Sequence, residues 1–438
     1  MHFLYSIVAG LAGLLGAPWW IWACLRHAKY RAGLRERLGR VPERLAAPHP
    51  PAGCLWVHAV SVGEVLAVSE LVNELKRRIP ERRVLVSTTT ATGQKLARAR
   101  FGEENVFFFP LDFRFAIRPY LRALRPELIV LAETEFWPNF LQLAQRCGAS
   151  VAVVNARISD RSFPRYYRAR GLMARVLRNV DLFLAQSEED ARRLLAIGAE
   201  AGRVQIAGNL KFDVKPPQQL PMVAVLRAAL ARGGGSPVIV AGSTVEGEEQ
   251  AVLDAFRALR QTKPEAVLVL APRHPERFSA VAELLAASGL PCWRRSQWNP
   301  QEPVGGGVFL LDSIGELGSV YGLADLAFVG GSLAPRGGHN ILEPAVQGVP
   351  VLSGPHTENF RDIADRFRAA GALQTVEDTA ALTAALLRLT ADPAEGRAMV
   401  RRAAELLQQH AGATACSASQ LQKLLESRQS SEREPLWR

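Results

Sequence analysis

The chain has 438 residues, of which 48% are apolar and 22% charged, and its net charge is +11. That length accommodates two domains of ordinary size, each with its own core, and that composition excludes a disordered chain. The charge is uneven: residues 1–215 hold 32 Lys and Arg against 19 Asp and Glu, while 216–438 hold 21 against 23, so the first half is expected to meet an anion. Five cysteines (Cys24, Cys54, Cys147, Cys292, Cys416) form no CxxC pair, and eight histidines form no HxxxH pattern. Neither a disulfide framework nor a zinc site follows, and no protein-bound metal is expected.

Residues 3–25 carry no charged side chain, a length that crosses a bilayer. Trp19, Trp20 and Trp22 sit where an interfacial belt would lie, and Arg26, Lys29, Arg31, Arg35 and Arg37 follow on one flank. The pattern predicts an N-terminal membrane anchor, with everything after it on the cytoplasmic side. Gly10, Gly13, Gly16 and Pro18 leave a helix lying in the interface as the alternative.

After a Pro-rich spacer come apolar runs at 54–60, 84–88, 106–109, 128–132, 151–155, 182–185 and 204–207, each followed by a helical pattern. The stretch PPQQLP at 216–221 reads as a linker, and the pattern restarts at 238–242, 267–271, 308–311, 326–331 and 349–353. Continuous apolar runs alternating with amphipathic segments predict parallel sheets covered on both faces. The expected fold is α/β: two Rossmann-like, doubly wound domains behind an anchor helix. Its parts are the anchor (1–25), an N-terminal domain (26–215), the linker (216–221) and a C-terminal domain (222–438), whose last helix is free to pack back on the first domain.

Ligands of such sheets bind beyond the C-terminal ends of the strands, where this chain places polar loops. Glu64, in the first, is either a partner for a helix dipole or a carboxylate facing the crevice, where a general base fits. Glu133 and Glu135, beside Phe136 and Trp137, suit a sugar, or form a solvated turn whose Trp137 packs. Arg157, Arg161, Arg165, Arg168 and Arg170 interleave with Phe163, Tyr166 and Tyr167. Such a face suits nucleic acid, anionic lipid or plain solvent; the uncharged N-terminal segment favours lipid, and no nucleic acid is expected. Lys211 closes the first domain, where a mobile cation can neutralise charge in a transition state.

In the second half, Glu246, Glu248 and Glu249 read as a capping arrangement at a helix start. Arg273 suits a phosphate or carboxylate, and Gly315 offers backbone to a flat base. The stretch 330–360, GGSLAPRGGHNILEPAVQGVPVLSGPHTENF, is the centre of the pattern. Its glycines let backbone N–H groups approach a ligand, and the helix expected to end at Gly348 offers its start to a phosphate. Asn340 and Glu343, three residues apart, point from one face of the first turn, as ribose ligands or as a cap.

Together SVGE (61–64), ETEFWPN (133–139), GNLKFD (208–213), GSTxxGEE (242–249), APRHPERF (271–278), DSIGEL (312–317) and GGHNILEP (337–344) resemble, in this order and over nearly the whole chain, the Kdo transferase family. These inner-membrane enzymes move 3-deoxy-D-manno-octulosonic acid (Kdo) from CMP-Kdo to a lipid A precursor. The resemblance implies a GT-B fold and an inverting glycosyltransferase, independent of metal and cofactor, that acts on lipid IVA in lipopolysaccharide core synthesis. It also implies an inner-membrane location with the catalytic domains on the cytoplasmic side. By the same resemblance Glu64 is the proton acceptor, and Glu133, with Glu135 close by, and Lys211 stabilise the transition state. The CMP contacts would be Pro272, Arg273, Ile314, Gly315, Glu316, Asn340, Ile341, Leu342 and Glu343. Arg157, Arg161, Arg165 and Arg168 are expected to meet the acceptor or membrane phospholipid. The chain departs from the family at Ser313 and Ile314, where a methionine is expected in a DTMGEL-like stretch. Two rivals stand beside this reading: a nucleotide-sugar epimerase or hydrolase with no lipid acceptor, and a non-catalytic lipid-binding protein with no need of Glu64.

Overall fold

A strand covered on both faces buries every side chain, so runs rich in Val, Leu, Ile and Phe become the central strands here. The computed structural model of the protein describes residues 33–45, 53–217 and 220–430. The chain divides into two compact units, Met1–Asp213 with His410–Arg438, and Val214–Gln409.

The first unit holds strands β1 (Cys54–His58), β2 (Arg83–Thr88), β3 (Val106–Phe108), β4 (Pro126–Ala132), β5 (Ser150–Ala156), β6 (Leu182–Ala185) and β7 (Val204–Ile206). Their order is β3-β2-β1-β4-β5-β6-β7, with every pairing parallel. The chain works outward from β1 to β3, then returns to lay β4 on the other side of β1. That reversal opens a crevice at the C-terminal ends of β1 and β4. Along β1 successive side chains enter opposite cores: Cys54 and Trp56 join Ile129 and Leu131, whereas Leu55 and Val57 join Leu128 and Val130. Trp56 lies edge-on to Phe140, ring centres 5.1 Å apart, and its buried indole N–H donates to Ser87 Oγ at 2.7 Å.

The last helix, Ala413–Ser430, belongs to this unit. Its Ala418, Leu421 and Leu425 bury into the core formed by Val65, Val68, Leu71 and Leu75 of the helix Val62–Arg78. Asp213 fixes its start, accepting from Gly412 N at 2.7 Å and from Thr414 N.

The second unit repeats the scheme with β8 (Val238–Thr244), β9 (Val267–Pro272), β10 (Cys292–Arg294), β11 (Val308–Leu310), β12 (Leu326–Val329), β13 (Val351–Ser353) and β14 (Leu373–Thr375). The all-parallel order is β10-β11-β9-β8-β12-β13-β14, and the reversal falls between β8 and β12. Strands β10 and β14 have no counterpart in the apolar runs of the sequence. They are three-residue edge strands whose side chains are mostly half-buried or exposed, so they carry no continuous apolar run.

The expectation of a membrane-anchor helix is corrected. Among the described residues no helix is long and apolar enough to cross a membrane. The longest, Val62–Arg78, Pro393–His410 and Ala413–Ser430, are each apolar on one stripe and charged elsewhere, as helices that cover a core on one side must be. Residues 1–25, the expected anchor, lie outside the described residues. The architecture is therefore two α/β units, and a transmembrane helix, a signal-anchor and an inner-membrane location held by one N-terminal anchor are set aside.

Leu421 is fully buried between the last helix and the first sheet. Leu421→Ala is expected to destabilise the first unit by about 2–5 kcal/mol, the usual cost of such a cavity. Hydrogen exchange read segment by segment checks this: protection should fall in the first unit and hold in Val238–Thr244 and Val267–Pro272.

Candidate active site

Glu64 stands in the first turn of the helix that leaves β1. Ser61 at the N-cap is extended, and the Glu64 side chain bends back so that Oε2 accepts from Val60 N at 2.7 Å and Oε1 from Ser61 Oγ at 3.2 Å. The carboxylate thus bends back on the helix start, although Ser61 itself makes no side-chain cap bond. Yet burial raises the carboxyl pKa to about 7, against the lowering effect of the Val60 N–H, and the negative charges of Glu133 and Glu135 push it further up. A carboxyl group poised near neutrality is suited to take up a proton.

Glu133 ends β4 with φ +58, a region that residues other than glycine rarely occupy. Its N–H donates to Val154 O at 2.9 Å, and its Oε1 accepts from Lys211 Nζ at 3.2 Å. Lys211 lies in the short turn Leu210–Phe212, which Asn155 holds from β5 by accepting the Leu210 N–H at 3.0 Å. Asn155 also has a positive φ, of 53°, so two neighbouring strand ends are strained to deliver this ion pair. The two acids of the loop are told apart by their partners: Glu135 accepts from Trp137 Nε1 at 2.7 Å, and burial raises its pKa. Trp137 leans on Phe109, ring centres 6.2 Å apart.

The four candidate acceptor arginines divide. Arg157 lies beside the acidic loop, its carbonyl accepting from Thr134 Oγ1. Arg161, Arg165 and Arg168 are exposed on the following segment, the last two on the helix Phe163–Arg168. Arg165 lies over the Tyr166 ring, and Arg168 Nε donates to Pro164 O at 3.2 Å.

In the second unit Arg273 follows β9, anchored by its N–H to Thr244 O at 2.9 Å, with its guanidinium exposed. Around it the loops after β9 and β12 meet. Burial, helped by the positive charges of Arg273 and His274, lowers the His339 pKa to about 4, so the ring is neutral at physiological pH. Its Nε2 is buried without a partner. Tyr321 is fully buried; that burial, and then the charge of Glu343, push its hydroxyl pKa well up, while Arg273 opposes them. Asn340 Nδ2 donates to Glu343 Oε1 at 3.2 Å, and Asn340 Oδ1 accepts from Leu342 N at 3.1 Å. Ile341, Leu342 and Pro272 are buried and form walls, whereas Ile314 is 77% exposed beside Gly315, whose φ is +88. Glu316 is held by Arg295 through bonds of 3.1 and 3.0 Å, and by Ser313.

Two expectations for the glycine-rich stretch fail. The helix there is a single turn, Leu342–Ala345, too short to present a phosphate-binding N-terminus. The backbone amides after β12 are already bonded to Glu248, which is 1% exposed and reaches across the switch point from the start of the helix that follows β8. Its Oε2 accepts from Gly331 N at 2.7 Å and Val245 N at 3.1 Å; its Oε1 accepts from Ser332 N at 2.8 Å, Leu333 N at 2.8 Å and Ala334 N at 3.2 Å. Sequence reasoning missed this role because an acid in a first turn looks the same whether it caps its own helix or another loop. The available signal was the second acid: Glu249, also buried, pairs with Arg277 at 3.2 Å, one carboxylate more than a cap requires. Among the described residues no group of three or more His, Cys, Asp or Glu is placed to hold a metal ion.

Two open parallel sheets on one chain, each with ionisable side chains at its switch point, are the components of the GT-B class, which glycosyltransferases share with nucleotide-sugar epimerases. A family model described as 3-deoxy-D-manno-octulosonic-acid transferase (kdotransferase) matches residues 32–214. The 3-deoxy-D-manno-octulosonic acid transferase of Bordetella pertussis is 39% identical over 423 residues, which span 92% of this chain and 95% of that protein. The solved C-terminal CMP-Kdo binding domain of WaaA from Acinetobacter baumannii is 36% identical, covering 42% of this chain and 98% of its own, with a TM-score of 0.39. The UDP-GlcNAc 2-epimerase of Neisseria meningitidis shares the fold alone: TM-score 0.53 and 13% identity, over 85% of this chain and 99% of its own. The chain belongs to the Kdo transferase family.

Because burial favours the neutral form of Glu64, its stabilising contribution is complete below the ordinary carboxylate pKa and is lost as pH rises through about 7. Carboxyl titration followed by infrared difference spectroscopy should show one group with a midpoint near 7 that Glu64→Gln abolishes. Glu133→Gln, by removing a like charge, should move that midpoint down; an unmoved midpoint would separate the two carboxylates.

Proposed function

We propose that this Kdo transferase catalyses an inverting transfer from CMP-Kdo to a hydroxyl of lipid IVA, with Glu64 as the base. The observation that carries the reading is a carboxyl group of pKa about 7 at the switch point of the first sheet, within the field of Glu133. In the reaction the acceptor oxygen attacks the anomeric carbon of Kdo, the bond from that carbon to the CMP phosphate breaks, and the hydroxyl proton passes to Glu64. Near neutral pH much of Glu64 is ionised and able to accept it, whereas an ordinary carboxylate would be a far weaker base.

Positive charge grows on the sugar as the CMP bond stretches, and the Glu133 carboxylate, fixed by Lys211, is suited to oppose it. The phosphate leaves with negative charge, for which the exposed Arg273 guanidinium is the natural ligand. Asn340 and Glu343 suit the ribose hydroxyls, and the exposed Ile314 and the Gly315 backbone suit the flat base. The first unit would thus receive the acceptor and the second the nucleotide. Arg157, Arg161, Arg165 and Arg168 are assigned to the phosphates of the acceptor and to anionic phospholipid, a reading favoured by the excess positive charge of residues 1–215. Purified protein given CMP-Kdo and tetraacylated lipid A precursor should yield a lipid heavier by whole Kdo units in mass spectrometry. Release of CMP with no gain in lipid mass would favour a hydrolase.

Glu64→Gln should cut kcat by about 10²- to 10⁴-fold, the usual contribution of a general base, and leave the Kd for CMP unchanged. The ascending limb of the native kcat/KM profile should lie near pH 7. Arg273→Ala should do the reverse, with the loss appearing first in CMP affinity by calorimetry. Near-native turnover of Glu64→Gln would remove it from the mechanism.

Replacing Arg161 and Arg165 together by Gln should raise the KM for lipid acceptor and flatten its dependence on salt, with the Kd for CMP unmoved. An equal loss of both affinities would indicate misfolding instead of a lost lipid contact.

A further inference from the structure

Five backbone N–H groups converge on the Glu248 carboxylate at the switch point of the second sheet. Consecutive amides curled around one negative charge form the concavity in which loops commonly hold a phosphate. Here the anion is part of the chain and is buried beneath the loop. We propose that Glu248 is a resident anion: a positioning residue that sets the shape of the donor loop and restricts the site to nucleotides with a single phosphate.

The path from Glu248 to the donor side chains is short. Gly331 gives its N–H to Glu248 and accepts, through its carbonyl, from Gly338 N at 2.7 Å. Gly338 directly precedes His339 and Asn340. The space on both sides of the loop is closed: a Cβ on Gly330 would lie 2.7 Å from Glu248 Oε2, and a Cβ on Gly331 would lie 2.7 Å from His339 Nε2. Any shift of the loop away from Glu248 therefore moves His339 and the ribose-side residues with it.

The restriction to one phosphate follows from the same bonds. A second phosphate at this switch point would look for backbone donors, and those of Gly331, Ser332, Leu333 and Ala334 are occupied. It would also approach a fixed negative charge. One phosphate needs neither, because the Arg273 guanidinium stands exposed and His339 is neutral.

The proposal rests on the assignment of CMP to the second unit, and calorimetry of the full chain with CMP and CDP tests the two separately. The native protein should bind CMP at least about tenfold more tightly than CDP, a ratio set by like-charge repulsion and unpaired phosphate oxygens. Glu248→Gln keeps the size of the side chain but turns an NH2 group toward the amides. It should stay folded by circular dichroism and weaken CMP about tenfold, the scale of lost charge-assisted hydrogen bonds. Glu248→Ala opens the concavity, so added formate should restore part of its CMP affinity, and its preference for CMP over CDP should narrow. Native CMP affinity in Glu248→Gln would overturn the proposal. So would a Glu248→Ala protein that formate does not rescue and whose CMP to CDP ratio is unchanged, the behaviour of a purely structural carboxylate. Where Glu248→Ala fails to fold, Glu248→Gln decides alone. A native protein that binds no CMP would instead overturn the donor-site assignment, and this proposal with it.

Discussion

Where a parallel strand ends, the amides just past it have no ladder partner. Such groups must find an acceptor if they are buried. In this protein acidic side chains supply it repeatedly: Glu248 for the loop after β12, Asp112 for Asn139 N and Phe140 N at 3.1 and 2.7 Å, Asp190 for Ile158 N at 2.9 Å, and Asp312 for Ser296 N at 2.8 Å. Glu248 gives both carboxylate oxygens to backbone amides and so shapes its loop, whereas Asp190 also accepts from Ser187 Oγ and Asp312 from Arg294 and Ser296 Oγ. Glu64 bonds one amide and one hydroxyl and stays poised near neutrality, and Glu133 faces a lysine instead of the backbone.

The two switch points differ in their electrostatics. In the first unit Glu64, Glu133 and Glu135 share a partly buried region with one ammonium group, and burial drives Glu64 and Glu135 toward protonation. In the second unit the loops after β9 and β12 carry an exposed arginine and a histidine kept neutral, while the buried Glu248 carboxylate is bound to backbone amides. Proton acceptance suits the first environment and the binding of an anion suits the second. Each property comes from burial and neighbours acting on ordinary residue types, since the same side chains in water would titrate at their usual pKa values.

The central strands were legible because a doubly covered parallel strand needs a continuous apolar run, a signal contained in a few adjacent residues. The runs at 128–132 and 182–185 lie within Pro126–Ala132 and on Leu182–Ala185. The strands Cys292–Arg294 and Leu373–Thr375 were not legible, since three residues that are mostly half-buried or exposed form no such run. The helix expected to run to Gly348 shrinks to Leu342–Ala345, and the chain goes on in turns, with Gln347 N donating to Pro344 O and Gly348 N to Ala345 O.

Apolar runs and short motifs are local patterns, and they carry the two parallel sheets, the polar loops after their strands and the family. What each acid in those loops does was set by the folded chain. Glu64, Glu133, Glu135, Glu248 and Glu249 are alike in the sequence, each an acid just past a strand. One is raised to a pKa of about 7, one meets Lys211, one bonds an indole, one gathers the amides of a distant loop and one pairs with Arg277. Those differences depend on partners distant along the chain and on how much water the fold removes, and neither is written in the neighbouring residues.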